Sequence, residues 1–314
     1  MKITVLDDYQ DQVRNLDCFK LLSDHEVTIL NTTFKDEVEL ASRLDGVEAL
    51  VLIRERTQIT STLLQRLPDL KVISQTGKIS NHIDPDVCAH FGVEILEGVG
   101  SPVAPAELTW ALIMAASRNL SSYAFEFSQG HWQQSGSLGL GRKLEGLNLG
   151  IWGYGKIGQR IARYADAFGM NVTVWGREAS RRLAKEHGFN AAMSKADFFR
   201  QADIVTLHLR LNDATRYCIS RDDLSLMKPD SLLVNTSRAE LIEADALYHE
   251  MMLNPSKRAA VDVYEIEPAT AGNCKLLSLP NVLCSPHIGY VEQSSYELYF
   301  KIAFENLIQY ANRH

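Results

Sequence analysis

Short apolar runs rich in β-branched residues alternate along the chain with longer stretches in which apolar residues recur every three or four positions. The short runs are apolar at nearly every position, which is typical of parallel strands buried on both faces of a sheet. Their alternation with helices predicts βαβ units and therefore an α/β fold with doubly wound parallel sheets. The predicted strands are residues 3–6, 27–30, 49–53, 71–74, 93–95, 148–152, 171–175, 203–208, 231–235, 259–263 and 282–284.

These strands form two series, and a strongly apolar segment at residues 104–117 separates them. Because this segment is apolar nearly all round, it is predicted to be a helix buried at a domain or subunit junction. A glycine-containing stretch at residues 135–141 is predicted to be an exposed loop before the second series begins. A length of 314 residues suits two domains.

The strongest local motif is Gly153-Tyr154-Gly155-Lys156-Ile157-Gly158, which lies between a predicted strand and a predicted amphipathic helix. In this context the first glycine permits a tight turn, the second lets the backbone approach a pyrophosphate, and the third lets helix and strand pack closely. The free N–H groups at the helix N-terminus attract phosphate. The six residues are therefore predicted to bind NAD or NADP.

The end of the next strand predicts which dinucleotide is preferred. An NAD site usually has a carboxylate here that accepts a hydrogen bond from the ribose 2′-hydroxyl. This chain has Gly176 at that position, followed by Arg177, whose guanidinium suits a 2′-phosphate. The sequence thus predicts a preference for NADP over NAD. Glu178 leaves open the alternative that the site binds the ribose 2′-hydroxyl of NAD. Arg181 and Arg182 either join the phosphate site or form a solvated helix face.

Three chemically capable side chains follow three successive strands of the second series: Arg238, Glu267 and His287. The carboxyl ends of parallel strands lie at one edge of the sheet, where ligands bind in open α/β folds. A single histidine after a strand is usually structural. Three such residues at equivalent positions predict a catalytic group.

The segments that carry these residues resemble the signatures of the D-isomer-specific 2-hydroxyacid dehydrogenases. They are Asn235-Thr236-Ser237-Arg238, Asp262-Val263-Tyr264-Glu265-Ile266-Glu267-Pro268 and Ser285-Pro286-His287-Ile288-Gly289. That family includes phosphoglycerate, glycerate/hydroxypyruvate and D-lactate dehydrogenases, and the resemblance runs from about residue 50 to the C-terminus. It implies an oxidoreductase that transfers a hydride between NAD(P)H and a small 2-keto acid or D-2-hydroxy acid.

The resemblance also implies a role for each matched residue. Arg238 would bind the substrate's carboxylate and keto oxygen, and His287 would be the general acid in reduction and the base in oxidation. Glu267 would hydrogen-bond His287 and favour its charged form. A cation and a proton donor stabilise the negative charge that hydride transfer builds on the keto oxygen. Cofactor contacts are implied for His208, Thr236, Ser237 and, at the nicotinamide end, Asp262.

The domain arrangement that the resemblance implies is a Rossmann cofactor domain inserted in a flavodoxin-like substrate domain. The cofactor domain would span residues 101–287, and the substrate domain residues 1–100 and 288–314. A homodimer is implied, with the apolar helix at the interface of the cofactor domains.

The turn at Gly77, Lys78 and Ile79 aligns with the loop of the resembled family whose backbone amides hold the substrate carboxylate. Lys78 either adds charge there or is solvated. Ile79 replaces the second glycine of the family's usual loop, Arg210 replaces a usual proline, and Ala239 stands where glycine is frequent. These departures affect which substrate the chain accepts more than which reaction it catalyses.

Composition and charge argue against several classes of function and partner. The net charge is −7 and no basic cluster is interleaved with aromatics, which argues against nucleic-acid binding. No apolar run approaches the roughly 20 residues of a membrane span, so no membrane association is predicted. The five cysteines show no CxxC spacing, so no metal site is predicted. Met1 leads directly into a strand-like run, so the expectation is a cytoplasmic protein with no signal peptide.

Two alternatives remain open. One is a nucleotide-sensing interaction protein similar to the C-terminal-binding corepressors, which share this fold. The other is a family member that acts on a substrate such as phosphite. Formate is disfavoured because formate-type enzymes pair their histidine with glutamine where this chain has Glu267. Glyoxylate, hydroxypyruvate and bulkier keto acids are all compatible with the sequence, which does not indicate the direction of the reaction.

Overall fold

The computed structural model describes residues 1–313, in which twelve parallel strands form two sheets. The eleven predicted strands are confirmed, with ends that differ by at most two residues. The prediction missed only β8, which has two residues. The strands are β1 (Lys2–Val5), β2 (Glu26–Ile29), β3 (Ala49–Leu52), β4 (Val72–Gln75), β5 (Glu94–Glu97), β6 (Asn148–Trp152), β7 (Asn171–Trp175), β8 (Asn190–Ala191), β9 (Ile204–Leu207), β10 (Leu232–Asn235), β11 (Arg258–Val261) and β12 (Val282–Cys284).

Helices connect nearly all successive strands, as βαβ units require. Their starts follow local sequence rules: Asp84 accepts hydrogen bonds from the N–H groups of Asp86 and Val87, and Pro85 occupies the first turn of its helix. The α-helices are α1 (Glu37–Arg43), α2 (Ser61–Leu64), α3 (Pro85–His90), α4 (Val103–Ser117), α5 (Leu120–Ser128), α6 (Lys156–Ala167), α7 (Glu178–Glu186), α8 (Lys195–Gln201), α9 (Arg221–Ser225), α10 (Ala246–Leu253) and α11 (Gln293–Ala311).

The chain divides into two compact units, and the first is discontinuous. It comprises Met1–Ser101 and the chain from Val291 onward. Its sheet has the order β2-β1-β3-β4-β5, the flavodoxin-like order. The core on one face of this sheet includes Leu50, Leu63 and Ile73. Helix α11 covers β4, where Ser74 Oγ donates a 2.8 Å hydrogen bond to the carbonyl of Ala303.

The second unit, Pro102–Tyr290, contains a seven-stranded sheet in the order β12-β11-β10-β9-β6-β7-β8. Counted from β6, this is the Rossmann order 3-2-1-4-5-6 extended by one strand, so the predicted α/β fold class is confirmed. Helix α4 matches the predicted apolar helix to within one residue, and Leu112 and Ile113 on it are buried in the core of this unit.

The bounds of the two units differ slightly from the sequence-derived domain bounds. Residue 101 lies with the first unit and residues 288–290 with the second. Hydrogen bonds from the N–H groups of Ile288 and Gly289 to Asp262 explain why this turn stays with the second unit. The assignment of one stretch to substrate and the other to cofactor remains a prediction.

None of the helices within residues 1–313 combines the length and the apolarity needed to cross a bilayer. Over the same residues, no three His, Cys, Asp or Glu side chains are grouped closely enough to hold a metal ion.

Candidate active site

The three predicted catalytic residues follow neighbouring strands of the second sheet. Asn235 on β10 pairs with Val261 on β11, and Val261 pairs with Cys284 on β12. Arg238 and His287 each come three residues after their paired position, and Glu267 comes six residues after its own, Val261. The three therefore leave the sheet at the same edge, from strands about 5 Å apart.

His287 and Glu267 form a close pair at this edge. Nδ1 of His287 lies 2.6 Å from Oε2 of Glu267, and both side chains are about one-third exposed. The other carboxylate oxygen of Glu267 accepts a 3.1 Å hydrogen bond from the N–H of Tyr264, which orients the carboxylate. The ring of Tyr290 packs edge-on against the imidazole, with 5.7 Å between centroids. These contacts leave Nε2 as the ring nitrogen that can exchange a proton with a ligand.

The backbone of His287 is strained, and Asp262 holds the turn that contains it. His287 has φ of 51°, which is uncommon for a residue other than glycine and is often found at functional sites. The buried carboxylate of Asp262 accepts hydrogen bonds from Ser285 Oγ at 2.6 Å and from the N–H groups of Ile288 and Gly289 at 2.9 Å each. Burial raises the pKa of Asp262, while these hydrogen bonds and the nearby His287 lower it. Asp262 therefore positions His287 through the backbone on either side of it.

A separate set of hydrogen bonds holds Arg238. Asn235, which is buried, donates from Nδ2 to the carbonyl of Arg238 at 2.8 Å and accepts from the N–H of Ser237 at 3.1 Å. Ser237 Oγ also donates to the carbonyl of Leu207 on β9 at 2.7 Å. The loop after β10 is thus tied to its own strand and to the next one.

Thr236 and His208 lie at the ends of β10 and β9. Thr236 Oγ1 is 2.7 Å from Oγ1 of Thr109 on α4, and His208 Nε2 is 3.0 Å from Thr206 Oγ1. Burial lowers the pKa of His208 to about 3, so its imidazole is neutral at physiological pH. A neutral histidine at this position can donate or accept a hydrogen bond but adds no charge.

The glycine-rich turn after β6 leaves no room for side chains at its first and third glycines. Gly153 has φ of 99°, and a Cβ there would lie 2.8 Å from the carbonyl carbon of His208. A Cβ at Gly158 would collide with the carbonyl oxygen of Gly153 and come within 3.3 Å of Ile151 Cγ2. The side chains of Tyr154 and Ile157 pack into the core, so only their main-chain groups can face a ligand.

The middle of this turn is open, which fits a bound pyrophosphate. A Cβ at Gly155 would have no atom of the described residues within 4 Å. Helix α6 begins at Lys156 and has no side-chain cap, so its first N–H groups can bind an anion. Lys156 itself is exposed beside them. The residues present therefore fit the diphosphate of a dinucleotide.

The end of β7 is followed by Gly176 and Arg177, and the next carboxylate along the chain is that of Glu178, the exposed first residue of α7. Gly176 has φ of 148°, a conformation that side-chain-bearing residues rarely adopt, so an acidic residue at this position would be strained. Arg177 is exposed and is the N-cap residue of α7. Arg181, one turn later, stacks on the ring of Trp175 with 5.0 Å from Cζ to the centroid, and its Nε has no hydrogen-bond partner among residues 1–313. Arg182 lies 3.8 Å from Glu186 on the exposed face of the helix.

In the first unit, Gly77, Lys78 and Ile79 form the loop after β4. Within the described chain, the N–H groups of Gly77 and Lys78 have no hydrogen-bond acceptor, whereas the N–H of Ile79 donates to Glu97 Oε1 at 2.9 Å. Lys78 Nζ is 2.8 Å from the other oxygen of Glu97. The guanidinium of Arg54, from the end of β3, lies over Gly77, with Cζ 3.2 Å from where a Cβ would be.

Sequence reasoning did not identify Arg54, Glu97 or Asn235 as parts of these sites. Arg54 follows β3 and Glu97 ends β5, on either side of β4 in the sheet. The strand-end rule used for the second sheet would have found both if applied to the first. Asn235 belongs to the segment Asn235-Thr236-Ser237-Arg238, and its burial at a strand end is the signal that it organises the loop.

Comparisons with known proteins agree with this geometry. A family profile described as "D-isomer specific 2-hydroxyacid dehydrogenase, NAD binding domain" matches residues 110–289. A hydroxypyruvate reductase of Thermotoga maritima is 31% identical over 273 residues, which cover 86% of this chain and 87% of that protein. A D-3-phosphoglycerate dehydrogenase of Methanocaldococcus jannaschii is 32% identical over 87% of this chain, and the match spans about half, 51%, of that longer protein.

A solved structure covers the whole chain. The crystal structure of a phosphoglycerate oxidoreductase from Vibrio cholerae is 61% identical to it, covers 100% of both chains and superposes with a TM-score of 0.99.

Proposed function

The chain belongs to the D-isomer specific 2-hydroxyacid dehydrogenase family, and we propose that it reduces a small 2-keto acid to the D-2-hydroxy acid with NADPH as the preferred hydride donor. Membership makes it an NAD(P)-dependent oxidoreductase. The observation that carries the proposal is the 2.6 Å pair of His287 and Glu267 at the carboxyl edge of the Rossmann sheet.

His287 is the proton donor of the proposed reaction. Its Nδ1 is held by Glu267, so its Nε2 carries the proton that is given to the substrate's keto oxygen during reduction. The Glu267 carboxylate lies 2.6 Å from Nδ1 and orients the ring, and Asp262 keeps the ring in place through the turn. In the oxidative direction the same nitrogen takes the proton of the hydroxyl group.

Arg238 and the loop of Gly77, Lys78 and Ile79 bind the substrate in this proposal. Arg238 stabilises the negative charge that develops on the keto oxygen and holds the carboxylate. The unpartnered N–H groups of Gly77 and Lys78 are suited to an anion, since adjacent main-chain N–H groups form anion-binding concavities.

The nicotinamide of the bound cofactor supplies the hydride. The six residues from Gly153 to Gly158 would hold its diphosphate through main-chain N–H groups at the start of α6. Thr236, Ser237, His208 and Asp262 lie at the strand ends that follow and would surround its nicotinamide half.

Arg177 is expected to determine the preference for NADPH. Arg177→Ser should raise the KM for NADPH by about 10- to 100-fold and leave the KM for NADH nearly unchanged, because an arginine–phosphate contact is worth about 1.5–3 kcal/mol. Steady-state kinetics with both cofactors make the comparison. Arg182→Ser is the matched control, since Arg182 is paired with Glu186 and should not affect either KM. Equal KM values for both cofactors in the unaltered enzyme would discard this account of the ribose site.

The proposal as a whole is tested by following the loss of NADPH or NADH in the presence of glyoxylate, hydroxypyruvate and bulkier 2-keto acids. Turnover that is faster with NADPH supports it. Tight cofactor binding without turnover would instead favour a nucleotide-sensing protein of the same fold.

A homodimer is also part of the proposal. Helix α5 and the segment after it expose a set of large apolar side chains at 60–88% of their surface: Leu120, Phe125, Phe127, Trp132 and Leu140. Such a concentration on one segment is typical of an interface. Light scattering at micromolar concentration should therefore give twice the mass of the chain, and the chain mass alone would refute the dimer.

A further inference from the structure

Glu97 occupies part of the loop that the proposed function assigns to the substrate. Its two carboxylate oxygens are both engaged, one by Lys78 Nζ at 2.8 Å and the other by the N–H of Ile79 at 2.9 Å. One carboxylate therefore neutralises the loop's lysine and takes one of its three N–H groups. A substrate that reaches this loop meets a lysine that already has a counter-ion.

The backbone fixes the position of this carboxylate. Gly98, the residue after Glu97, donates from its N–H to the carbonyl of Gly77 at 2.9 Å. A Cβ at Gly98 would lie 2.6 Å from the carbonyl oxygen of Gln75 and 2.8 Å from the carbonyl carbon of Thr76, so the strand end lies directly against β4. Glu97 thus sits beside the loop because two neighbouring strand ends are joined there, and its placement does not depend on the ion pair alone.

We propose that Glu97 determines specificity by making this loop select 2-keto acids that carry a single negative charge. This inference rests on the proposed function, in which residues 77–79 contact the substrate. The two free N–H groups, of Gly77 and Lys78, together with the Arg54 guanidinium that lies over Gly77, suffice for one carboxylate. A second acidic group on the substrate, such as a phosphate, sulfonate or further carboxylate, would have to displace Glu97 from Lys78 or lie close to it. Both costs fall more heavily on dianionic than on monoanionic substrates.

The experiment compares two substrates of nearly equal shape and different charge. 4-Methyl-2-oxopentanoate has an isopropyl group where oxaloacetate has a second carboxylate. The unaltered enzyme should have the higher kcat/KM with 4-methyl-2-oxopentanoate. Glu97→Gln retains an oxygen for the N–H of Ile79 and removes the charge, so it should shift the kcat/KM ratio by about tenfold toward oxaloacetate. A purely structural role for Glu97 would lower both values together and leave their ratio unchanged.

Glu94→Gln is the matched control. Glu94 lies on the same strand, three residues earlier, and pairs with Arg313 at 3.1 Å, away from the loop. The Glu94→Gln variant removes the same charge from β5 and should leave the ratio of the two kcat/KM values unchanged. An unchanged ratio in Glu97→Gln, an equal shift in Glu94→Gln, or an unaltered enzyme that prefers oxaloacetate would each overturn the inference.

A binding measurement separates this inference from the proposed function. If neither of these keto acids, nor glyoxylate or hydroxypyruvate, is turned over by any of the proteins, the proposed function fails. Calorimetric titration with D-malate and D-2-hydroxy-4-methylpentanoate then tests the inference alone. Binding of D-malate about tenfold tighter to Glu97→Gln than to the unaltered protein supports the charge selection, and equal affinities contradict it.

Discussion

His287→Ala is expected to lower kcat/KM for the preferred 2-keto acid by about 100- to 10,000-fold, which is the usual contribution of a positioned general acid. The physical reason is that the imidazole held by Glu267 at 2.6 Å provides the proton for the developing alkoxide. Cofactor affinity should not change, because the glycine turn and α6 do not depend on His287. Stopped-flow or steady-state kinetics, with a cofactor titration by fluorescence, measure both quantities.

His131→Ala provides the control for this variant. Nδ1 of His131 lies 2.6 Å from Glu126 Oε2, so the same type of pair with the same separation exists elsewhere in the same unit. Removing it should leave kcat/KM unchanged. Near-normal activity in His287→Ala would refute the catalytic assignment, whatever the control shows.

Alanine at the glycines of the 153–158 turn should separate folding from cofactor binding. Gly158→Ala places a methyl group against the carbonyl oxygen of Gly153, a main-chain atom that cannot rotate away. The start of α6 must therefore shift, which should cost about 1–3 kcal/mol of unfolding free energy and weaken cofactor binding by about 100-fold or more. Gly155→Ala meets no protein atom within 4 Å, so stability should be unchanged while cofactor binding weakens.

Gly272→Ala is the matched control for both variants. Its nearest neighbour would be Thr270 Oγ1 at 3.8 Å, an ordinary contact, so neither stability nor cofactor binding should change. Thermal unfolding and fluorescence titration supply the two readouts. Normal cofactor binding by Gly155→Ala would mean that the pyrophosphate does not approach this turn.

The fold was largely predictable because the central strands of both sheets are buried on both faces and so appear as continuous apolar runs. Strand β8 escaped this signal since it has only two residues, one of them exposed. The close packing at Gly153 and Gly158 was also predictable, because the motif's spacing reflects the contact of a turn with its own helix.

The contacts that organise the sites were harder to predict, because they join residues far apart in sequence. Asp262 binds the N–H groups of Ile288 and Gly289, 26 and 27 residues later, and Glu97 binds that of Ile79, 18 residues earlier. No periodicity or spacing motif records such pairs. Gly176 shows a further limit: the absence of a carboxylate is visible in the sequence, but the backbone φ of 148° that disfavours a side chain here is visible only in the structure.

The most direct test of the central claim is chiral analysis of the product formed from hydroxypyruvate and from bulkier 2-keto acids with NADPH. The reduction should consume one NADPH for each 2-hydroxy acid formed, and the product should be the D enantiomer. Formation of the L enantiomer, or no reduction of any 2-keto acid by protein that binds the cofactor, would contradict the account.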